Sequence, residues 1–248
     1  MQWDPAQYLA FGDERARPFV ELVRRIPADS PRSVVDLGCG PGTLTALLKQ
    51  RWPAADVVGV DASPEMVAAA DESTGVRFEL GDIRSWQGES DVVVSNAALQ
   101  WVPGHLALLP ALAARARQWF AFQVPGNFEA PTHTIRRELA EDARYEPYLY
   151  DVDRPAAHDP EVYLDVLQRQ GWTVDAWETT YLHVLHGEDA VFTWVSATGA
   201  RPTMQALPDA LRAEFVTEFK ARLDEAYPPG PLGVVMPFRR VFVVAGRR

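Results

Sequence analysis

Cysteine is nearly absent from this chain: Cys39 is the only one among 248 residues. A single cysteine cannot form an internal disulfide, and it has no second thiol with which to build a zinc cluster. Its neighbours also lack the histidine and asparagine that activate a nucleophilic thiol. We therefore expect Cys39 to fill space in a loop. Since the sequence shows no cluster of metal ligands, we expect no bound metal.

Positive charge is also in short supply. The chain has 24 lysine and arginine residues against 34 aspartate and glutamate residues, which gives a formal net charge of −10 and a pI near 5.0. A general nucleic-acid binder needs a cationic face that displaces counterions from phosphates, so this class is excluded. An anionic small substrate stays possible if arginine or histidine is concentrated in its pocket.

Long apolar runs and a leader segment are missing too. No stretch approaches the roughly 20 apolar residues that a membrane span requires. The first residues, Met1 to Pro5, do not form a basic-then-apolar leader. We expect a cytoplasmic protein with no membrane partner, and a monomer or weak homo-oligomer.

What the chain does have is a regular alternation of short β-branched runs with helical segments. Its apolar content of 47% is enough for a substantial core. The predicted strands cover residues 33–37, 57–60, 76–80, 91–95, 119–124, 172–185 and 240–245. This order predicts an α/β fold, with a Rossmann-like, mostly parallel sheet of seven strands, helices on both faces and a small, mainly helical cap.

Two helix starts are visible in the sequence. Pro18 begins one, because Phe19, Leu22 and Ile26 follow it at helical spacing. Ser63 caps another, with proline at its first position. The predicted organisation is a single domain over residues 1–248, with lid helices at 1–30, a cofactor-binding core at 31–125, cap insertions at 126–170 and 187–231, and closing strands at 172–185 and 239–246.

The turn after the first strand, from Asp36 to Gly42, carries the strongest chemical signal. Gly38 and Gly40 let the backbone pass close to a ligand where a Cβ would collide, and Gly42 eases the packing of the next helix. A pyrophosphate loop would carry the pattern Gly-x-Gly-x-x-Gly, or would end in lysine followed by serine or threonine. This turn has a proline and no lysine, so it predicts an uncharged or zwitterionic ligand.

Acidic residues end the next two strands. Asp61 follows the second strand, where a carboxylate can accept hydrogen bonds from both ribose hydroxyls of an adenosyl group. Asp82 follows the third strand and can take the adenine amino group, with Ile83 packed on the base. A helix cap or a solvated acid remains open for Asp61, and an ordinary turn residue for Asp82.

Together, the glycine turn and these acids resemble the class I S-adenosylmethionine-dependent methyltransferases, over about residues 33–124. The resemblance implies S-adenosylmethionine as cofactor and S-adenosylhomocysteine as product. Asp36 would order the turn or meet the cofactor's ammonium group, and Asn96 would face the transferable methyl. The implied cofactor residues are Asp36, Gly38, Cys39, Gly40, Asp61, Ala62, Asp82, Ile83 and Asn96.

Motifs outside this core support a narrower resemblance. They lie at residues 3–8, 14–18, 96–103, 131–133, 179–181 and 194–202. These segments resemble the trans-aconitate 2-methyltransferase family nearly from end to end. The resemblance implies that the acceptor is a small tricarboxylic acid and the product its monomethyl ester.

A carboxylate acceptor is already ionised at pH 7, so it needs no general base, and we assign no catalytic residue. Catalysis would come from positioning of the acceptor, and arginines would bind the acceptor's other carboxylates. The predicted acceptor residues are Tyr8, Arg15, Trp101, Gln123, His133, Trp194, Arg201 and Arg239, with Arg17 and Asn127 as further candidates. For each arginine a surface ion pair stays open, for each aromatic a place in the core, and for His133 a structural hydrogen bond.

Two other functions stay open from the sequence alone. The same fold could methylate a phenol or an amine, which would favour an acidic or histidine base near the methyl group. The chain could also bind S-adenosylmethionine as a sensor without turnover.

Overall fold

The computed structural model of the chain describes residues 12–150, 152, 155–197 and 199–247. Seven strands form one sheet in the order β3-β2-β1-β4-β5-β7-β6. They are β1 Ser33–Leu37, β2 Asp56–Asp61, β3 Arg77–Leu80, β4 Ser90–Asn96, β5 Ala116–Pro125, β6 Trp172–Leu185 and β7 Val234–Arg247.

The first five strands pair in parallel, and β7 runs antiparallel to β5. The strand order reverses between β1 and β4, and ligands of open α/β sheets bind at the carboxyl ends of strands beside such a reversal. The predicted Rossmann-like, mostly parallel sheet of seven strands is confirmed.

Ten α-helices lie within the described residues. They are α1 Gly12–Arg24, α2 Thr45–Arg51, α3 Pro64–Ala68, α4 His105–Ala114, α5 Pro131–Ala140, α6 Glu146–Leu149, α7 Pro160–Gln168, α8 Ala190–Ser196, α9 Arg201–Ala206 and α10 Asp209–Ala226. Among these described segments, none is long and apolar enough to cross a membrane.

The alternation of side chains along the strands divides the sheet into two faces. On one face, apolar residues such as Val35, Phe120 and Val243 pack with α4 and α7 in a single buried cluster. The other face carries Asp36 and Gln123, both buried. Parallel strands that are covered on both faces read as continuous apolar runs, which is why the sequence revealed them.

Three predicted boundaries are wrong. The helix predicted to begin at Pro18 already includes Gly12, and Pro18 lies inside it. The sequence pattern predicts a helix over residues 43–51 after the glycine turn, whereas this helix begins at Thr45. The last strand begins at Val234, well before the predicted start at residue 240, and it runs through Pro237 and the apolar residues on either side of it.

The described residues divide into two compact units. The sheet unit contains residues 12–125, 157–179 and 240–247, and the helix-rich unit contains residues 126–156 and 180–239 apart from the undescribed positions. Helix α7 belongs to the sheet unit, although the sequence-based division places residues 126–170 in a cap. The division into core, lid and cap insertions stays a prediction.

Candidate functional site

The glycine turn lies at the carboxyl end of β1, beside the reversal in strand order. The backbone N–H groups of Gly38 and Cys39 both donate to the Val60 carbonyl, at 2.7 and 3.1 Å, and tie the turn to β2. Gly38 has φ +81°, and a Cβ at this position would lie 2.2 Å from the Cβ of Ala98. A side chain is therefore excluded here by backbone conformation and by space.

Gly40 faces open space instead. Its φ is +56°, and a Cβ placed on it would meet no atom of the described residues within 4 Å. Its N–H donates to Asp61 Oδ2 at 2.8 Å, and the Ser63 N–H donates to Asp61 Oδ1 at 2.9 Å. Each carboxylate oxygen keeps a second acceptor position. Asp61 and the exposed Ala62 thus border the open space over Gly40.

Gly42 has a different role from the predicted one. A Cβ at Gly42 would overlap the ring of Phe78 at 2.3 Å, so the glycine accommodates a side chain of β3 rather than the following helix. Cys39 fits its predicted role as a loop filler. It is buried, and burial, followed by the charges of Asp36 and Asp61, raises the pKa of its thiol well above the ordinary value.

Asp36 is a buried carboxyl group at the end of β1, with an exposed fraction of 2%. Its Oδ2 accepts a hydrogen bond from the Thr45 hydroxyl at 2.7 Å. Its Oδ1 is buried without a hydrogen-bond partner among the described residues. Burial raises the pKa of Asp36 to about 7, the Thr45 hydroxyl lowers it, and the charge of Asp61 raises it further.

We expect the Asp36→Asn variant to be more stable than the wild type at pH 8, with the advantage lost at pH 4. The folded-state pKa of about 7 lies above the unfolded value of 3.8. The protonated Asp36 therefore contributes stability below pH 4, and this contribution is lost as the pH rises through 7. The predicted change in the difference is on the order of 4 kcal/mol. Urea unfolding of both proteins across this range measures it; parallel pH profiles would contradict the assignment.

Asp82 lies after β3 and is already engaged. Its two carboxylate oxygens bind the guanidinium of Arg84, and its Oδ1 also accepts the Arg84 N–H at 2.8 Å. The Arg84 side chain, as the main cause, holds the pKa of Asp82 below its ordinary value. Ile83 is buried, and its Cδ1 would lie 3.5 Å from a Cβ on Gly38, so it borders the glycine turn.

Two amide side chains meet where β4 and β5 end. The Gln123 Nε2 donates to the Asn96 Oδ1 at 2.7 Å. The backbone carbonyl of Gln123 also accepts the N–H of Ala97, whose φ of +52° is unusual for a residue with a Cβ. Such strain is found at sites where the backbone must present a group in a fixed direction. The turn after Asn96 therefore depends on Gln123.

The other predicted acceptor residues are distributed over both units. Trp101 ends a short 3-10 helix, Leu99–Trp101, in the sheet unit and is half-buried. His133, Trp194, Arg201 and Arg239 lie in the helix-rich unit. Tyr8 lies outside the described residues, and so does the side chain of Arg15, whose backbone belongs to α1.

Within the helix-rich unit these side chains differ in environment. Trp194 is 2% exposed and stacks on His183 with ring centroids 4.6 Å apart, as a core residue does. His133 Nδ1 is buried without a hydrogen-bond partner in the described part of the chain. Burial, and then the charges of Arg136 and Arg137, lower the pKa of His133 to about 3, so its ring is neutral at pH 7.

The two arginines predicted on these elements also differ. Arg201 is the first residue of α9, is half-buried and makes no ion pair with any residue that the structure describes. Arg239 donates to the carbonyl of Gly126 at 3.2 Å. Asn127, which follows Gly126 in the sequence, is buried.

Sequence reasoning missed two buried arginines. Arg136 on α5 is 8% exposed and donates to the Thr203 hydroxyl at 3.0 Å. Arg240 on β7 is 7% exposed and lies 3.5 Å from Gln123 Oε1. Helical spacing placed Arg136 three residues after His133, a signal that could have found it. Nothing in the sequence distinguishes Arg240 from Arg239, since a continuous apolar run follows both.

Comparison with known proteins gives a consistent result. Residues 34–118 match the family model described as a methyltransferase domain. A trans-aconitate 2-methyltransferase of Streptomyces avermitilis is 48% identical, over 98% of this chain and 96% of its own length. Proteins of the same description from Mycolicibacterium gilvum and Rhodococcus jostii are each 50% identical over 98% of this chain, and the former is matched over 98% of its own length.

Solved structures share the fold at low sequence identity. The YcgJ protein of Bacillus subtilis superposes with a TM-score of 0.58 at 14% identity, over 94% of this chain and 98% of that one. Magnesium protoporphyrin IX methyltransferase from Synechocystis, solved with bound S-adenosylhomocysteine, gives 0.55 at 16% identity, over 100% of this chain and 90% of that one. At these identities the comparison shows the fold alone.

Proposed function

The chain belongs to the trans-aconitate 2-methyltransferase family, and we propose that it transfers a methyl group from S-adenosylmethionine to a carboxylate of trans-aconitate. The product is the monomethyl ester, together with S-adenosylhomocysteine. The observation that carries this proposal is that relatives of that description are 48% and 50% identical to this chain over 98% of its length. The geometry at the carboxyl ends of β1, β2 and β4 supports it.

The glycine turn fits the cofactor. A Cβ at Gly38 would fill the turn, the space over Gly40 is open, and the buried Asp36 Oδ1 has an unused acceptor position. Asp61 would hold the ribose hydroxyls through its remaining lone pairs. When bound, S-adenosylmethionine supplies an electrophilic methyl group on a sulfonium centre.

Asp82 and Ile83 complete the proposed adenine side. Because the Asp82 carboxylate is held by Arg84, it can accept the adenine amino group only with the lone pairs that the guanidinium leaves free. Ile83 would pack against the base. Arg84 thereby fixes the direction of the carboxylate, and its backbone N–H and Nε–H together occupy both acceptor positions of Oδ1.

The acceptor side favours a carboxylate over a phenol or an amine. Strands β4 and β5 reach this edge with the neutral amides Asn96 and Gln123, which cannot remove a proton. A phenol or an amine needs a base, whereas a carboxylate is ionised at pH 7 and can attack directly. The chain would contribute orientation and exclusion of water, which can account for a large part of the rate.

A methyl-transfer assay with labelled cofactor tests the function directly. The wild-type chain is incubated with cis- and trans-aconitate, citrate, isocitrate and tricarballylate, and with a phenol and an amine as contrasts. We expect base-labile methyl esters from aconitate and none from the contrasts. Tight binding of S-adenosylhomocysteine without transfer to any acid would point to the sensor, and transfer to the phenol or the amine to the other enzyme class.

Arg201 gives a separate test of the predicted acceptor clamp. Replacing it with methionine should raise KM for trans-aconitate by about tenfold to a hundredfold, the effect of losing one charge-assisted hydrogen bond. The affinity for S-adenosylhomocysteine should not change. The matched control is Arg222→Met on α10, whose guanidinium pairs with Glu218 on the surface. Equal KM values for both variants would remove Arg201 from the clamp.

A further inference from the structure

Three polar side chains form a connected row at the end of the sheet where the acceptor would react. The Arg240 guanidinium lies 3.5 Å from Gln123 Oε1, at the long end of hydrogen-bond distance. Gln123 Nε2 donates to Asn96 Oδ1 at 2.7 Å. Gln123 is 1% exposed and Arg240 7%, so this row is buried behind Asn96, which is the least buried of the three.

The direction of every amide in this row follows from Arg240. A guanidinium has donors only, so the group of Gln123 that faces it must be the carbonyl oxygen. The Gln123 NH₂ group then faces Asn96 and selects the carbonyl oxygen of that side chain. The donor NH₂ group of Asn96 is left as the part of its amide that this row does not use.

We propose that Arg240 is a positioning residue for the acceptor carboxylate, acting through Gln123 to keep the Asn96 NH₂ group directed at it. This inference rests on the proposed function. The Asn96 amide would bind the oxygen that does not react, and so aim the other oxygen at the methyl group. Without Arg240, Gln123 could rotate its amide, and Asn96 would then present its oxygen to an anion.

The charge of the acceptor explains why the arginine acts at a distance. The reacting carboxylate loses negative charge as the ester bond forms, so a cation in direct contact would stabilise the starting state more than the transition state. Two neutral amides between the guanidinium and the nucleophile transmit its orientation and polarise the donor. They keep the full positive charge away from the reacting oxygen.

A double-mutant cycle tests the proposal. Arg240→Met, Asn96→Ala and the double variant are compared for kcat, KM and the dissociation constant of trans-aconitate in the presence of S-adenosylhomocysteine. Each single variant should weaken acceptor binding by about tenfold to a hundredfold. In the Asn96→Ala background, Arg240→Met should cost less than about twofold, because the residue through which it acts is gone. Additive losses would overturn the proposal.

A variant in the same strand serves as a control for an effect on stability. Arg247 is at the other end of β7, where its guanidinium donates to the carbonyls of Ala114 and Ala116 at 2.9 Å each. Arg247→Met should leave acceptor binding unchanged; a loss equal to that of Arg240→Met would show a general effect of the strand and contradict the inference. If Arg240→Met does not fold, Gln123→Met breaks the same row and takes its place in the cycle.

The outcomes of these measurements distinguish a failure of this inference from a failure of the proposed function. If the wild type methylates none of the acids, the function is wrong and the acceptor role of the row falls with it. If the wild type is active on a different acid of the panel, the cycle is measured with that acid. An additive cycle in an active enzyme overturns the role of Arg240 alone.

Discussion

Replacing Asp61 with alanine is expected to weaken binding of S-adenosylhomocysteine by about 100-fold or more, measured by titration calorimetry. The carboxylate has two tasks in the proposed complex. It holds the Gly40 N–H at 2.8 Å and the Ser63 N–H at 2.9 Å, and would accept the ribose hydroxyls. Alanine removes the ligand contacts and releases the turn that forms the rest of the site.

Asp71 provides a matched control for this substitution. Its Oδ1 accepts the Ser73 N–H at 2.9 Å, in the same local geometry and at the same distance as the bond from Ser63 to Asp61. Asp71 begins a short 3-10 helix, Glu72–Thr74, outside the glycine turn. Asp71→Ala should therefore reduce stability slightly, through the loss of a helix cap, and leave cofactor affinity unchanged.

An intermediate variant separates the two tasks of Asp61. In Asp61→Asn only one side-chain atom accepts hydrogen bonds, so the side chain cannot hold both backbone N–H groups and both hydroxyls. We expect the affinity of Asp61→Asn for S-adenosylhomocysteine to lie between that of the wild type and that of Asp61→Ala. Wild-type affinity in Asp61→Ala would remove Asp61 from the ribose role and the cofactor from the space over Gly40.

The features that the sequence predicted correctly depend on neighbours along the chain. Strand β1 was found because Val34, Val35 and Leu37 are apolar and a glycine follows directly. The cap of α3 was found because serine before proline is a local signal, and Ser63 Oγ does accept the Met66 N–H at 3.2 Å. The ends of successive parallel strands then brought Asp36, Asp61 and Asn96 to one edge without further information.

The reason why residue 42 must be glycine could not be predicted from its neighbours along the chain. The glycine is required by the ring of Phe78, which reaches it only because β3 pairs with β2. Pairing between distant segments cannot be read from a local pattern. The pairing of Asp82 with Arg84 is local, but many aspartates precede an arginine without binding it, so the sequence alone did not indicate it.

The acceptor residues were harder to predict for a related reason. Arg239 and Arg240 are consecutive on β7, so their side chains point to opposite faces, and Phe242, which shares a face with Arg240, is as apolar as Val241. Only the register with β5, which sets Arg240 opposite Pro125 and Phe242 opposite Gln123, assigns the faces. In the helix-rich unit, the burial of Arg136 is likewise a property of packing.

Substitutions at Gly38 and Gly40 distinguish the role of each glycine in folding of the turn from its role in ligand binding. Gly38→Ala should lower the free energy of unfolding by about 2–4 kcal/mol, because it combines φ +81° with a Cβ placed only 2.2 Å from the Cβ of Ala98. Ala98 belongs to the turn after Asn96, so relief of the overlap would also displace the proposed acceptor side. We expect affinity for S-adenosylhomocysteine and methyl transfer both to be lost.

Gly40→Ala should give a different pattern. Its φ of +56° costs about 1 kcal/mol in an alanine, but no atom in the part of the chain that the structure describes obstructs the new methyl group. Gly104, with φ +66° and equally open surroundings, is the matched control. The two alanine variants should unfold at similar urea concentrations, yet only Gly40→Ala should weaken S-adenosylhomocysteine, by about 30-fold, since its methyl group would enter the space that the ligand fills.

The comparison of the two variants decides what the open space is for. If Gly40→Ala and Gly104→Ala lost stability equally and both bound S-adenosylhomocysteine like the wild type, Gly40 would serve only the shape of the turn. A loss of affinity confined to Gly40→Ala cannot come from a general loss of stability, because the control carries a similar backbone strain. It would place the ligand at the glycine turn, next to the N–H group that donates to Asp61.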